Sequence, residues 1–317
     1  MTVVAHPQPS RSRASRPSRR STTARVIAVI ALVLLLLVVA SWVPGIVGTA
    51  ASVALPWIGL ILLALVVLAL VRARRVLLLL LVPVVVWALA MGPSAPGFAA
   101  ATASDATTLQ IVSQNVRAHS GGAAASAQEL AATGADVIAL TELDAESLAA
   151  ARDALAGDYP HSYAVGTVGM WSRYPIGDAE ALTLGLDWKR AMRVTVETPE
   201  AEVAVYVMHA ASVRPGHQQG RDTMLSGIAD AVAADPASSV VVVGDFNAAS
   251  ADPALADLRA RLDWVRPTDG SLGFTWPAGL PLTRIDHVFA RGLDVLTSTT
   301  VRAGNSDHLA TVTSFGL

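Results

Sequence analysis

The sequence predicts a mixed α/β domain that follows three transmembrane helices. The chain of 317 residues is 53% hydrophobic and has a mean hydropathy of +0.49, which is too apolar for an ordinary soluble protein. Its charge is divided as well: residues 1–104 contain nine arginines and no acidic residue, whereas residues 105–317 have a net charge of −11. The chain has no cysteine, which excludes a disulfide framework, thiolate metal sites and cysteine nucleophiles.

The first 25 residues form a basic tail that is rich in serine, arginine and proline. Such a composition offers too little apolar surface to fold alone, so we predict a disordered tail. Three uncharged apolar runs follow, at residues 26–43, 51–71 and 76–91. A span needs roughly 17 to 20 apolar residues, and we therefore predict three transmembrane helices within residues 26–91. A cleavable signal peptide is the alternative for the first run, but two further apolar runs follow it.

The arginines that flank these runs predict the orientation. Six lie in the tail, and Arg72, Arg74 and Arg75 lie between the second and third runs. The positive-inside rule places both clusters in the cytoplasm, and the two agree only if there are three spans. We therefore expect a multi-pass protein of the cell membrane with a cytoplasmic N-terminus and an extracytoplasmic α/β domain. Residues 92–107 are predicted to be a linker, and cleavage of the chain within residues 99–103 stays open.

Residues 108–317 alternate between two kinds of pattern. Short runs that are apolar throughout, or that alternate with a period of two, indicate strands. Helical periodicity lies between them, which predicts a mixed α/β fold, and no repeat of solenoid length is present. The predicted strands are residues 109–116, 136–140, 194–197, 203–208, 240–243, 285–290 and 310–314, and the predicted helices are residues 126–132, 146–155, 218–234 and 253–262.

Polar residues stand at the ends of the predicted strands. Open α/β sheets gather their ligand sites at strand ends, so we expect these residues to lie together. Carboxylate and amide oxygens without cysteine suit Mg²⁺ or Mn²⁺, and histidines remain for proton transfer and phosphate contact. One such residue alone is more often a turn or a helix cap, but the ordered set predicts metal-assisted phosphoester hydrolysis. The set comprises Asn115, Glu142, His209, Asp245, Asn247, Asp286, Asp307 and His308.

Four segments resemble the endonuclease/exonuclease/phosphatase superfamily. Gly244-Asp245-Phe246-Asn247 matches its G-D-x-N motif, Ser306-Asp307-His308 matches its S-D-H motif, and Ile285-Asp286-His287 matches its I-D-x element. Residues 169–176 resemble the strand that often reads S-R-[YF]-P-I in this family. The resemblance covers roughly residues 108–317 and implies a four-layer α-β-β-α sandwich. The whole organisation also resembles three-span actinobacterial members linked to teicoplanin resistance.

The resemblance implies roles for the polar residues at the strand ends. Asn115, Glu142 and Asp307 would hold the metal, with Glu142 as the principal ligand. Asp245 would orient or deprotonate the attacking water, and Asn247 would bind the phosphate. The sequence departs from the family's usual motifs at two places, and these departures leave the subfamily open. Thr141 precedes Glu142 where the family usually has Gln, and the sequence around His209 reads Val-Met-His-Ala rather than Asn-Thr-His-Leu.

The remaining assignments concern phosphate binding and proton transfer. By the same resemblance, His308 would contact the phosphoryl oxygens, Asp286 would fix its orientation, and His209 would be a phosphate contact or general acid. Arg117 and Arg173 are candidate phosphate ligands, although solvated surface residues are an equal reading. We expect core packing for four tryptophans outside the predicted spans, Trp171, Trp188, Trp264 and Trp276.

The charge of the α/β domain and the predicted membrane anchor narrow the class of substrate. Nucleic-acid-binding domains normally carry a basic surface, whereas residues 105–317 carry a net charge of −11 and a single lysine, Lys189. Three spans would hold the domain beside lipid headgroups. The leading hypothesis is therefore a membrane-anchored, extracytoplasmic hydrolase of a lipid phosphate or pyrophosphate, with the bilayer as partner and no obligate protein partner. An extracytoplasmic nuclease and a catalytically silent binding module are the alternatives.

Overall fold

Three N-terminal helices and a two-sheet sandwich make up the computed structural model, which describes residues 19–97, 107–214, 216 and 218–317. Residues 1–18 of the predicted tail and residues 98–106 of the predicted linker lie outside the described residues. The first helix, α1, is Arg19–Ala40, the second, α2, is Ile46–Arg72, and the third, α3, is Leu77–Met91. Short 3₁₀ turns at Arg74–Val76 and Gly92–Ser94 flank α3.

Within the described residues, three helical segments are long and apolar enough to cross a membrane: Thr22–Ala40, Ile46–Arg72 and Arg74–Ser94. This confirms the prediction of three apolar helices and suggests a membrane anchor. The helices approach closely where Gly59 of α2 meets Trp87 of α3, since a Cβ atom on Gly59 would lie 2.2 Å from the Trp87 ring. Small residues allow such close packing between helices in lipid.

Twelve strands and four helices form the α/β domain. The helices are α4 Ala123–Ala131, α5 Ala145–Leu155, α6 Gln218–Ala234 and α7 Ala256–Arg259. The strands are β1 Thr108–Asn115, β2 Val137–Thr141, β3 His161–Val165, β4 Val168–Ser172, β5 Ile176–Leu182, β6 Ala191–Glu197, β7 Glu202–His209, β8 Val240–Asp245, β9 Asp263–Trp264, β10 Asp286–Arg291, β11 Asp294–Val301 and β12 Ala310–Gly316. They form two mixed six-stranded sheets, in the orders β11-β12-β1-β2-β4-β3 and β5-β6-β7-β8-β10-β9.

The two sheets pack face to face, and helices cover their outer faces. The four valines of β8 show the arrangement, because Val241 and Val243 point into the core between the sheets, whereas Val240 and Val242 pack beneath α6. A strand that is buried on both faces reads as a continuous apolar run. Helices α4 and α5 cover the first sheet in the same way, and α7 joins α6 on the second. The predicted four-layer sandwich is therefore confirmed.

The strand patterns miss five strands, and four of these, β3, β5, β9 and β11, are the four edges of the two sheets. The fifth, β4, is central and buried, and only the family resemblance of residues 169–176 indicated it. Edge strands are partly exposed, so they lack the apolar runs that mark central strands. The expectation for the tryptophans is met by Trp171, which is 2% exposed. It is wrong for Trp188 and Trp276, which are 51% and 41% exposed, respectively.

The topology brings the polar strand ends to one edge of the sandwich. Strands β1 and β2 are parallel, and so are β7 and β8, so the carboxyl ends of each pair lie side by side. Strand β10 runs antiparallel to β8, which places its first residue, Asp286, opposite Asp245. We refer to this side of the domain, formed by the ends of β1, β2, β7 and β8 and the starts of β10 and β12, as the carboxyl edge.

A half-buried ion pair away from the carboxyl edge links the end of α6 to the second sheet. Arg193 Nε of β6 donates to Asp235 Oδ2 at 2.7 Å, and the Tyr206 hydroxyl of β7 donates to the same oxygen at 2.6 Å. Burial opposes ionisation of Asp235, but these hydrogen bonds outweigh it and lower the pKa of its carboxyl group to about 2. The ionised form of Asp235 thus stabilises the fold.

Replacing Asp235 with asparagine is expected to lower the free energy of unfolding at pH 7 by about 1.5–3 kcal/mol, the usual size for hydrogen bonds to a charged group. Because the folded-state pKa is depressed, this stabilisation is present above about pH 4 and is lost as the pH falls toward 2. Urea unfolding of the full chain in detergent, followed by near-ultraviolet circular dichroism, measures the effect. The difference between wild type and D235N should shrink between pH 7 and pH 3, and an equal difference at both would contradict this assignment.

Candidate active site

The carboxyl edge collects six of the predicted site residues in a largely buried cluster. Each is placed by a strand that begins or ends there. Asn115 ends β1, Glu142 follows β2, His209 ends β7, Asp245 ends β8, Asp286 begins β10 and His308 precedes β12. Five of the six are at most 6% exposed, and Glu142, whose side chain is 30% exposed, is the open member.

Within the described part of the chain, two groups could hold a metal ion, and the first consists of Glu142, His209 and Asp245. His209 Nε2 lies 3.5 Å from Glu142 Oε1 and 3.9 Å from Asp245 Oδ2. Asn115 joins the group because its Nδ2 donates to Asp245 Oδ2 at 3.0 Å. Four residues from four different strands therefore converge on one small region.

The second group consists of Asp245, Asp286 and His308. His308 Nδ1 is 2.8 Å from Asp286 Oδ2, and the two residues are 6% and 1% exposed, respectively. Burial disfavours the imidazolium, but the carboxylates of Asp286, Asp245 and Asp307 outweigh it and raise the pKa of His308 to about 10. His308 is therefore a buried cation at neutral pH.

Two observations show that this donor set fits a divalent cation. Burial, together with the nearby charge of Asp286, raises the pKa of Asp245 to about 7, so a bound cation would favour the ionised carboxylate here. In addition, Asp286 Oδ1 is buried without a hydrogen-bond partner among the described residues. Carboxylate and amide oxygens are the ligands that hard cations such as Mg²⁺ prefer. The cluster thus has both the charge and the chemistry for a metal.

Three of the predicted site residues have left-handed backbone conformations, which non-glycine residues rarely adopt. The φ angles are 58° for Arg117, 59° for Glu142 and 48° for Asn247. Each such residue costs on the order of 1–3 kcal/mol and persists only where its surroundings hold it. Here Glu142 Oε2 accepts from the backbone N–H of Ala118 at 3.1 Å, and Asn247 Nδ2 donates to Ala210 O at 3.0 Å. Strain of this kind is concentrated at functional sites.

Arg190 is the site residue that the sequence analysis missed. It is 7% exposed, its Nη2 lies 2.5 and 2.6 Å from the two ring nitrogens of His209, and its guanidinium lies 4.7 Å from the Trp188 ring centre. Burial lowers the pKa of Arg190, while the charges of Asp245 and Glu142 oppose that shift. Burial and the neighbouring cations lower the pKa of His209 well below its usual value. The site therefore holds a guanidinium beside a neutral imidazole.

The other candidates differ in position. Asp307 is half-buried beside His308, whereas Arg117 is exposed, with its backbone N–H donating to Asn115 Oδ1 at 2.9 Å. Arg173 is not brought to the carboxyl edge. It donates to Gly134 O at 3.1 Å and follows Ser172, which pairs with the first residue of β2 rather than with its last.

Ser306 of the S-D-H motif has a positioning role that the sequence did not predict. Its hydroxyl donates to Asn115 O at 2.5 Å and accepts from the backbone N–H of His308 at 3.0 Å. This hydroxyl links the end of β1 to the segment before β12. It therefore fixes the spacing between Asn115 and His308 across the site.

The geometry of the carboxyl edge agrees with a comparison of the sequence with protein families. The profile of the Endonuclease/Exonuclease/phosphatase family matches residues 112–308, which is most of the α/β domain. The chain belongs to this family. Members of the Endonuclease/Exonuclease/phosphatase family are metal-dependent phosphoester hydrolases, which confirms the predicted enzyme class. A search of curated protein sequences finds no significant match.

Solved structures agree on the fold of this family member. A Danio rerio TDP2 complexed with a single-strand DNA product is 18% identical, with a TM-score of 0.58, covering 67% of this chain and 100% of that one. A family protein from Bacteroides vulgatus is 16% identical, with a TM-score of 0.56, covering 67% and 99%. Sphingomyelinase C from Streptomyces griseocarneus is 19% identical, with a TM-score of 0.50, covering 67% and 100%. At these identities the likeness shows the fold alone.

Proposed function

We propose that the protein is a membrane-anchored, extracytoplasmic phosphoester hydrolase that uses Mg²⁺ or Mn²⁺ and acts on a lipid phosphate or pyrophosphate headgroup. One observation carries this proposal: the carboxyl edge is joined by buried hydrogen bonds to the start of α2. An active site on that side of the domain lies next to the lipid surface. A site on the opposite side would instead suit substrates in solution.

Arg221 of α6 makes the connection. It is fully buried, and its Nη2 donates to Thr49 Oγ1 of α2 at 2.9 Å. Its Nη1 donates to Asn247 O at 3.1 Å and to Asp252 Oδ2 at 2.7 Å. Gln218 Nε2 donates to the same Thr49 hydroxyl at 2.9 Å. One arginine thus separates the candidate phosphate ligand Asn247 from the anchor.

The net charge of the α/β domain favours a lipid substrate over a nucleic acid substrate. The net charge of −11 over residues 105–317 opposes a long polyanion, whereas a single phosphate headgroup needs only a local cationic site. Arg190 and His308 provide such a site beside the carboxylates. The similar structures include one with a single-strand DNA product and one named a sphingomyelinase, so the fold does not choose between these substrate classes.

In the proposed site, Asn115, Glu142 and Asp307 would hold the metal ion, and of these three Glu142 belongs to a candidate metal group described above. When bound, the cation supplies Lewis-acid polarisation of the phosphoryl oxygens and offsets the negative charge of the cluster. Asp245, whose pKa is raised to about 7, is suited to take a proton from the attacking water near neutral pH. Asp286 holds the His308 ring by the 2.8 Å contact between Oδ2 and Nδ1.

The phosphate oxygens are bound by the remaining residues of the proposed site. His308 offers positive charge, and Asn247 offers an amide on the strained turn after β8. Arg190 adds a guanidinium that matches phosphate geometry, and exposed Arg117 stands at the rim. His209 is neutral beside Arg190, because burial and the neighbouring cations lower its pKa. Of the two roles predicted for it, phosphate contact and general acid, this neutral form favours the phosphate contact.

The arginine clusters support the proposed orientation, with the N-terminus in the cytoplasm and the hydrolase domain outside. In this arrangement the partners are the bilayer and a lipid-linked phosphoester. The three spans and the family domain also support the proposed relationship to teicoplanin-resistance proteins of the cell envelope.

A substrate panel tests the proposal on the full chain reconstituted in liposomes with Mg²⁺. The panel contains a polyprenyl pyrophosphate, sphingomyelin, an inositol phosphate, duplex and single-stranded DNA, and a soluble nitrophenyl phosphodiester. We expect the fastest turnover on a lipid substrate. Cleavage of DNA with no hydrolysis of either lipid would establish the nuclease alternative, and no turnover of any substrate would favour the silent binding module. His308→Ala is assayed in parallel, and the turnover that remains in this variant measures contaminating activity.

A further inference from the structure

The segment between β9 and β10 presents apolar side chains that no residue of the domain covers. Trp276, Leu280 and Leu282 are 41%, 68% and 38% exposed, respectively. Among the described residues that follow the N-terminal segment 19–97, Trp188 is the only other large hydrophobic residue this exposed. We refer to residues 276–282, which read Trp-Pro-Ala-Gly-Leu-Pro-Leu, as the Trp276 loop.

The Trp276 loop is bonded to a helix that is apolar enough to span a membrane. Trp57 Nε1 of α2 donates to Leu282 O at 3.2 Å. The Trp57 ring also lies 6.1 Å from the ring of Phe274, just before the loop. Trp57 is eleven residues beyond Ile46, so the contact lies about 16 Å along α2 at a rise of roughly 1.5 Å per residue.

The position of Trp57 defines the depth of the loop. Only fifteen residues separate Trp57 from Arg72 at the other end of α2, a length of about 22 Å. A hydrocarbon core is about 30 Å thick, so with Arg72 at one boundary, Trp57 reaches no further than the opposite one. Trp42 and Trp87 lie toward the same end of the bundle, and tryptophans are enriched at membrane interfaces. With Arg72 at one boundary, a loop bonded to Trp57 therefore lies about 8 Å to the hydrocarbon side of the opposite boundary.

Four of the five backbone N–H groups of the Trp276 loop are satisfied by hydrogen bonds within the protein. The loop has no charged residue, and two of its residues are prolines, which have no N–H to satisfy. The backbone N–H groups of Trp276, Leu280 and Leu282 donate to Thr283 O, Pro277 O and Trp276 O, respectively, and that of Ala278 donates to Asp307 O. Irregular backbone in contact with lipid is costly unless its polar groups are satisfied within the protein.

We propose that the Trp276 loop inserts Trp276, Leu280 and Leu282 into the lipid interface beside α2, as a membrane contact additional to the three spans. This requires that α2 crosses a bilayer and is independent of which phosphoester is the substrate. The loop also contacts the site: Ala278 N donates to Asp307 O at 2.7 Å, and Leu309 N donates to Thr275 O at 2.8 Å. Insertion therefore holds Asp307 and His308 at the depth of the headgroups.

The absence of cysteine makes a direct test possible. The variant L280C is labelled with an environment-sensitive fluorophore, and the full chain is reconstituted in phosphatidylcholine and phosphatidylglycerol vesicles, with or without lipids that carry a quencher on the acyl chain. The matched control is A233C, an exposed position at the end of α6 that lies far from Gln218 and Arg221, the two α6 residues that bond to Thr49 of the anchor.

We expect the label at residue 280 to shift to shorter wavelength in vesicles and to lose intensity when the lipid quencher is present. The label at residue 233 should show neither change. Identical behaviour of the two labels would overturn the proposal. Because this readout needs no substrate, it can succeed even if the enzyme cleaves DNA rather than lipid, and it can fail while lipid hydrolysis is observed.

Discussion

Replacing Glu142 with glutamine is expected to lower kcat/KM for the phosphoester substrate by about 10³-fold, since the charge stabilisation that a bound cation supplies is worth several kcal/mol. Glu142 is the most open carboxylate of the two candidate metal groups, and its Oε1 lies 3.5 Å from His209 Nε2. Glutamine keeps an acceptor for the Ala118 N–H, so folding should be preserved. Initial rates measured over a range of Mg²⁺ concentrations, with thermal unfolding in parallel, provide the test.

Glu146→Gln is the matched control for this substitution. It removes the same charge four residues away, from the exposed first turn of α5. Its rate should equal that of wild type. Wild-type turnover in E142Q, or an equal loss in E146Q, would contradict the assignment of Glu142 as a metal ligand.

Replacing Asp286 with asparagine should lower kcat by about 10²- to 10⁴-fold, the range over which positioned acid–base groups contribute. Asparagine has nearly the same volume as aspartate, but it cannot balance the charge of the His308 ring that lies 2.8 Å away. Because Asp286 is expected to act through His308, the double variant Asp286→Asn/His308→Ala should be no slower than His308→Ala alone.

The double-variant comparison distinguishes positioning from independent roles. If the effects of the two single substitutions multiply, Asp286 does not act through His308, and its assigned role is wrong. Asp263→Asn, an exposed change on the neighbouring strand β9, is the control and should leave kcat unchanged. The melting temperature of each variant shows whether a lower kcat comes from lost catalysis or from unfolding of the protein.

Central strands were predictable because both of their faces are covered. The four valines of β8 show this most clearly, since two pack between the sheets and two pack beneath α6. The edge strands β3, β5, β9 and β11 were not predictable, because part of each is exposed and the apolar pattern is lost. Fold class therefore followed from the centre of each sheet, whereas the edges depended on tertiary contacts.

The site residues were predictable where they stand at the ends of buried strands. Residues at the ends of apolar strands, such as Asn115, His209 and Asp245, were found because parallel neighbours bring carboxyl ends together. Arg190 precedes β6 and is indistinguishable in sequence from a surface arginine until the fold buries it beside His209. Arg173 illustrates the opposite error. A local motif suggested it as a site residue, but the antiparallel pairing of β4 with β2 places it away from the carboxyl edge.

The most direct test of a metal-dependent lipid phosphohydrolase is phosphate release from a polyprenyl pyrophosphate by the full chain in liposomes with Mg²⁺. We expect release to stop when EDTA is added and to resume when excess Mg²⁺ or Mn²⁺ is restored, because the proposed chemistry needs the bound cation and Asp286 Oδ1 is buried without a hydrogen-bond partner among the described residues. Release that continues unchanged in EDTA, or no release under any metal condition while DNA is cleaved, would contradict the proposal.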